Sequence, residues 1–434
     1  MARRLAPALM TLLALTLAAS AHGEEDAVRA RDDRITDLER KLELMTAEMA
    51  KLRTQVGVPE EPDLTSHYGL GPAASKVYGQ DRGLSLGGYG EAAYTALVRD
   101  KQGKSNRIDA LRTVFYVGYK FSDRIVFNSE IEFEHANTED GGEAGVEFAN
   151  LDFFWRSALN FRAGLMLVPL GFTNEIHEPP FFFGVNRPVT EQVIIPTTWR
   201  ENGAGIFGKL GETLDYRLYA MASLRADRFA SSGIREGKQE GSKSLAEDFS
   251  LVGRVDWRPE RVEGLLLGTG FSVGNTGQNL RDPNTKLKLP NARLALGELH
   301  AQYRNGPFHA RALFAYSFLD DSADLNAALG NGADNAIARQ MLGGYVETAY
   351  DIWPALFGND AKALKPFIRV EYVDPQFELA QGFHRDGNLA GWVFTPGINF
   401  YPHPNVVLKA EYRNFEQRSG QRADEISLGM GFAF

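Results

Sequence analysis

The chain has 434 residues, 47 Lys and Arg against 56 Asp and Glu, and a formal net charge of -9. That acidic balance argues against a nucleic-acid partner, and the absence of cysteine rules out disulfides. Forty-four Gly, 28 Phe, 15 Tyr and 5 Trp within a 44% hydrophobic chain fit alternating strands better than a bundle of apolar helices.

Residues 1–21 read as a secretory leader: Arg3-Arg4, an apolar run from Leu5 to Ala18, then Ala19-Ser20-Ala21 with cleavage after Ala21. The run is shorter than the ~20 residues a spanning helix needs. From 24 to 56 the chain is charged, and Ile35, Leu38, Leu42, Met45, Met49, Leu52 and Val56 recur at 3-4-3-4-3-4 spacing. With Ile35 at a heptad a position, Arg34 meets Glu39 and Glu48 meets Arg53 between parallel helices. The pattern predicts a short coiled coil joining copies of this chain; an amphipathic helix lying on another surface is the rival reading. Residues 57–83, with Pro59, Pro62, Gly69, Gly71, Pro72 and Gly79, read as a linker.

From Leu84 onward apolar and polar residues alternate near 84–98, 107–121, 123–135, 145–157, 159–168, 202–210, 214–224, 247–257, 264–274, 292–304, 307–318, 339–351, 364–374, 388–400, 403–414 and 424–434. A period of two marks strands with one apolar face. Short connections, such as Ser122, Gly211–Thr213, Asn305–Gly306 and Tyr401–Pro402, take turns with long ones, such as 136–144, 169–201, 225–246 and 319–338. Only 352–363 is an oddly long member of the short set. The expectation is an all-β fold over 84–434: a 16-stranded antiparallel transmembrane β-barrel with short periplasmic turns and long outer loops. In the last strand Ile426, Leu428, Met430, Phe432 and Phe434 share the lipid face, and Ser427, Gly429, Gly431 and Ala433 the inner one.

Inner faces carry many charges, such as Glu130, Glu132 and Glu134 opposite Ile131 and Phe133. Unpaired charges in a dry interior are costly, so a wide, water-filled barrel is expected. The basic positions assigned inward are Arg112, Lys120, Arg162, Arg217, Arg254, Arg311, Arg369 and Arg413. They are offset by Glu130, Glu132, Glu134, Asp152, Asp215, Asp256, Glu371 and Glu411. Opposite charges across a lumen give a transverse field. Arg217 beside Asp215, Arg254 beside Asp256 and Arg369 beside Glu371 can equally be pairs that hold the wall.

The third outer loop, 169–201, is 33 residues long, rich in proline and aromatics, and carries Phe181-Phe182-Phe183, Val193-Ile194-Ile195 and Trp199. Such residues want burial, so the loop is expected to fold into the lumen. Its charges Glu175, His177, Glu178, Arg187, Glu191, Arg200 and Glu201 would then line a constriction. Contact with a neighbouring subunit is the alternative.

The short N-terminal coil, the 16-strand count and the Gly164–Gly171 strand running into a Pro- and Phe-rich third loop together resemble the phosphate-selective porin O and P family. Thr198-Trp199-Arg200-Glu201-Asn202-Gly203 and the terminal Phe434 add to the likeness, which covers Leu84 to Phe434. The resemblance implies a homotrimeric outer-membrane channel in which anions pass a wall of arginines and a third-loop constriction. The partners it implies are lipid, lipopolysaccharide and small solutes. A general or small-organic-solute pore is the runner-up. An enzyme finds no support, since HExxH and Cys/His clusters are missing from the sequence. No cofactor or metal is expected. The acidic loop 319–338, with Asp320, Asp321, Asp324 and Asp334, reads as a solvated loop, or as a site for cations bridging lipopolysaccharide in an adhesive or structural barrel.

Overall fold

The computed structural model of the chain describes residues 34–41, 43–45, 48, 65–99, 103–137, 141–358 and 361–434. It divides into two compact units, Met1–Pro62 and Asp63–Phe434. In the first, residues 34–41 and 43–45 are helical, and the seam side chains Ile35, Leu38 and Met45 are exposed. The leader and the seam positions Leu42, Met49, Leu52 and Val56 lie outside the described residues.

The second unit is a closed barrel. Its strands are β1 (Gly83–Leu97), β2 (Arg107–Ser122), β3 (Ile125–Glu134), β4 (Glu143–Arg156), β5 (Leu159–Leu167), β6 (Arg200–Leu210), β7 (Leu214–Ala222) and β8 (Phe249–Trp257). Then come β9 (Leu265–Gly274), β10 (Leu294–Asn305), β11 (Phe308–Leu319), β12 (Gln340–Tyr350), β13 (Ala363–Glu378), β14 (Gly391–His403), β15 (Val406–Gln417) and β16 (Glu425–Ala433). Each pairs antiparallel with its chain neighbours, and β1 closes on β16 from Tyr89 opposite Ala433 to Leu97 opposite Glu425. Closure leaves no edge strand to aggregate.

Boundaries differ from expectation mainly late in the chain. β13 runs through Pro375 to Glu378, which pairs with Gln340. β14 passes the expected turn at Tyr401–Pro402, because Tyr401 still pairs with Ala363, and turns only after His403. The long connection before β13 holds a five-residue helix, Trp353–Phe357.

The outer surface is apolar at mid-height, with Leu151, Phe271, Leu299, Phe314 and Ile368 exposed. Aromatics ring both ends, Phe121, Trp155, Trp257 and Tyr350 at the short-turn end and Phe249, Phe377 and Trp392 at the long-loop end. That arrangement suits a hydrocarbon layer between two interfaces.

The interior departs most from expectation. A wide wet lumen was expected around the inward charges, yet Glu130, Asp152, Arg369, Glu371 and Asp374 are fully buried. Two segments of the chain fill the space. One is the long loop after β5. The other is residues 65–82, read from sequence as linker, whose Leu70, Ala73, Ala74 and Val77 are buried and whose short helix Lys76–Gly79 touches β1, β2 and β3.

Inward glycines make room. A Cβ on Gly118 would lie 2.7 Å from Val77 Cβ, and one on Gly431 would lie 2.3 Å from Pro179 Cβ. The small face of β16 therefore meets the loop rather than water. Outer loops add to the filling: Leu224, Phe229 and Ile234 from 223–248 pack in one cluster with Leu289, Leu325 and Ile337. The acidic stretch 319–338 is accordingly no plain solvated loop, since it holds the helix Ser322–Leu329 with Leu325 and Ala328 buried.

Candidate functional site

The loop between β5 and β6 is braced at its neck. Asn174 Nδ2 donates to the carbonyls of Val168 (2.6 Å) and Trp199 (2.9 Å), and Trp199 N–H donates back to Asn174 Oδ1 at 2.6 Å. Glu191 is buried and accepts from Phe172 N, Thr173 N, Thr173 Oγ1 and, across to β12, Tyr345 Oη at 2.6 Å. Ile194, Ile195 and Trp199 anchor the loop in the apolar cluster.

Taking an irregular segment out of water leaves its carbonyls short of donors. The barrel wall supplies them. Arg311 donates to Phe181 O (2.8 Å), Lys409 to the carbonyls of Phe182 (3.1 Å) and Gly184 (2.7 Å), Arg369 to those of Phe183 (3.3 Å) and Asn186 (3.0 Å), and Arg254 to Gly171 O. Glu411 in turn accepts from Val185 N at 2.9 Å.

The N-terminal segment is held the same way. Arg162 grips Asp152 at 2.7 and 2.8 Å and donates to Tyr68 O at 3.2 Å, while Tyr78 Oη donates to Asp152 at 2.7 Å. Lys120 donates to Gln80 O at 2.7 Å. Glu178 accepts from Ala73 N (3.0 and 3.2 Å) and Ala74 N (3.3 Å), tying segment to loop.

Of the eight basic wall residues picked from sequence, Arg112 lines the open cavity described below, and the others hold structure. Arg254 and Arg369 pair with Asp256 and Glu371, as the i,i+2 spacing allowed. Arg217 instead reaches Glu175 and Asp256, leaving Asp215 to Arg258. Arg413 pairs with Glu425. Among the loop candidates, Glu175, Glu178 and Glu191 are anchors and His177 contacts Glu130 at 3.1 Å. Burial pushes the His177 imidazole down to about 4.

Arg187 and Arg200 do border open space: a polar cavity of about 540 Å³. Its wall side carries Glu91, Glu132, Glu134, Glu143 and Glu147 from β1, β3 and β4, with Arg112 among them, 2.9 Å from Glu91. Its loop side carries Arg187, Arg228, Arg235 and Lys238, with Glu236 and Glu240 among them. Burial lowers the Lys238 ammonium, with Arg235 beside it adding to the effect, and Glu240 at 2.9 Å opposes it. Between Pro179 and Val185 of the loop and Ala93 and Gly429 of the wall, a second space holds only about 10 Å³, roughly one water. Sequence alternation already placed Glu132 and Glu134 inward. Arg228, Arg235 and Lys238 carried no such signal, because the path of an irregular loop has no period.

No protein-family model matches the chain. It is 34% identical over 373 residues to an uncharacterized protein of Aquifex aeolicus (strain VF5), a match covering 83% of this chain and 82% of that protein. The chain belongs to that protein's family. Its barrel is similar to a loop L8 deletion mutant of OmpT, an outer membrane protein of Vibrio cholerae. The identity there is 11%, with 82% of this chain and 100% of that one covered and a TM-score of 0.53. It is also similar to the outer membrane channel DcaP of Acinetobacter baumannii, at 14% identity, 81% and 97% coverage and a TM-score of 0.50. At such identities the likeness to solved structures is one of fold.

Proposed function

We propose that this chain is a porin of the Gram-negative outer membrane, a passive channel for small polar solutes that favours anions such as phosphate. The observation that carries the reading is the charged cavity of about 540 Å³ inside a 16-stranded barrel. Carboxylates predominate on the strand wall and cations on the loops, and such a transverse field orients polar solutes and gives anions a basic track along Arg187, Arg235 and Lys238. Arginine forks suit phosphate oxygens. The family resemblance and the solved barrels of like fold support a channel over an enzyme. The inward loop packs on β16 at Pro179 and Val185, so a wider passage requires that stretch to move aside. The residue 1–21 leader directs export, and the exposed seam of Ile35, Leu38 and Met45 joins three copies through the 24–56 coil.

Five wall carboxylates favour a second reading, a general pore without anion preference. Planar-bilayer recordings in a KCl gradient decide between them. Anion-favouring reversal potentials and block by phosphate are expected, with a shift toward cations in the double variant R235E/K238E. A reversal potential near zero or cation-favouring, with no phosphate block, leaves the general pore. Absence of conductance and of liposome swelling would leave a closed structural barrel.

A further inference from the structure

Beside the cavity, three potential ligands converge. His177 Nε2 lies 3.1 Å from Glu130 Oε1 and 3.4 Å from Glu147 Oε2, and one donor atom from each of the three residues falls within 4.8 Å of the others. All three residues are buried, Glu130 completely. The hydrogen-bond arithmetic does not close. His177 Nδ1 faces the Asn174 carbonyl at 3.2 Å, an oxygen that only accepts, so Nδ1 carries the proton. A neutral ring then turns the bare lone pair of Nε2 toward two carboxylate oxygens. Glu130 Oε2 finds no hydrogen-bond partner, nor does the hydroxyl of fully buried Tyr89, whose ring meets the His177 ring edge-on at 5.9 Å.

Buried lone pairs aimed at one another need a proton or a metal cation between them. We propose that Glu130, Glu147 and His177 form a binding site for a divalent transition-metal ion, zinc being the type, which ties the inward loop to β3 and β4. Nitrogen and oxygen donors bind zinc at about 2.0–2.2 Å, which puts neighbouring ligands of a tetrahedral site roughly 3.3–3.5 Å apart. The 3.4 Å from Nε2 to Glu147 matches that spacing, and the 3.1 Å to Glu130 falls a few tenths of an ångström short of it. The supporting shell is also built. Asn174 O fixes the imidazole tautomer, and Arg200 Nη1 donates to the far oxygen of Glu147 at 3.1 Å, which is how outer partners orient metal ligands. Glu130 Oε2 is available as a fourth donor. Glu147 also lines the cavity, which gives the ion a way in. Arg112 and Arg187 stand near, so the site lies among alternating charges, and its net attraction comes from the acidic cluster that includes Glu132. The positions could be tied together only by register: Glu130 and Glu147 sit on neighbouring strands, Glu130 pairing with Phe148, and the loop brings His177 to them.

The test uses the full-length protein in detergent, stripped with EDTA, desalted and equilibrated with zinc near neutral pH. Metal analysis is expected to return one zinc per chain, and cobalt in its place is expected to give visible ligand-field bands. H177Q and E130Q should each lose the bound metal while keeping the heat-modifiable mobility of a folded barrel. H384A, which removes an exposed histidine paired with Asp334, should keep it. No stoichiometric zinc in the wild type overturns the proposal, leaving a shared proton as the bridge; so does zinc retained by folded H177Q or E130Q. If both variants fail to fold, the wild-type zinc content and cobalt spectrum still decide.

Discussion

A buried arginine in this barrel is a structural commitment. Arg162 and Asp152 are 4% and 0% exposed and meet through two bonds, and Asn150 and Tyr78 satisfy the remaining oxygen lone pairs. Removing one partner strands the other charge away from water, at a cost of about 3–5 kcal/mol. D152A should therefore lower the barrel's stability by that amount in urea unfolding, and it should loosen Tyr78 as well. The double variant D152L/R162M, which removes both charges, should recover most of the loss. If D152A unfolds like the wild type, Arg162 has water around it and the filled interior is wrong. Alternation alone told that Arg162 points inward. Whether its partner is a solute or a neighbour depends on register, and Asp152 stands directly opposite it across β4 and β5, ten residues away along the chain. The Arg369–Glu371 pair was readable because both sit on one strand.

At the scale of elements, two irregular segments lock each other in place through Glu178. Burial raises its carboxyl to about 7, and the Ala73 and Ala74 N–H groups only partly offset that. An unfolded glutamate titrates near 4.3, so the folded arrangement holds a proton over the window between the two values. Its contribution is full below the unfolded value and is lost as pH climbs through about 7, by up to roughly 1.4 kcal/mol per pH unit. Wild-type melting temperatures should thus fall across that window, and E178Q, which cannot titrate, should show a flatter profile. Equal slopes would remove Glu178 as the tie. Deleting residues 66–80 should widen the lumen and at least roughly double single-channel conductance, since pore width governs flow; unchanged conductance would mean the segment is not in the path. The long loop was legible because Phe182, Ile194 and Trp199 had no reason to sit in water. The N-terminal segment was not. Gly71 is small because Glu178 leaves no room for a Cβ, and Ala73 lies close against the wall at Gly87, but smallness is also the mark of a linker.

For the molecule as a whole, the strand count and closure followed from a period of two repeated sixteen times, with each turn flipping direction. What stayed hidden was the filling, because inward charges look the same whether water or another part of the chain satisfies them. The exterior gives a sharper distinction. Leu299, in the middle of β10, and Leu356, in the turn helix before β13, are exposed to the same degree, 62% and 59%. In water an arginine at either place would cost little, since both are surface positions. In a bilayer the two differ, because an arginine at the midplane costs about 2–4 kcal/mol and one near the interface about 0–1. L299R should therefore depress folding into lipid vesicles, while L356R folds like the wild type. Both variants should behave alike in detergent micelles, whose thickness adapts. Equal folding of the two in vesicles would mean that the apolar belt does not meet hydrocarbon, and a channel across a membrane could not be built on it.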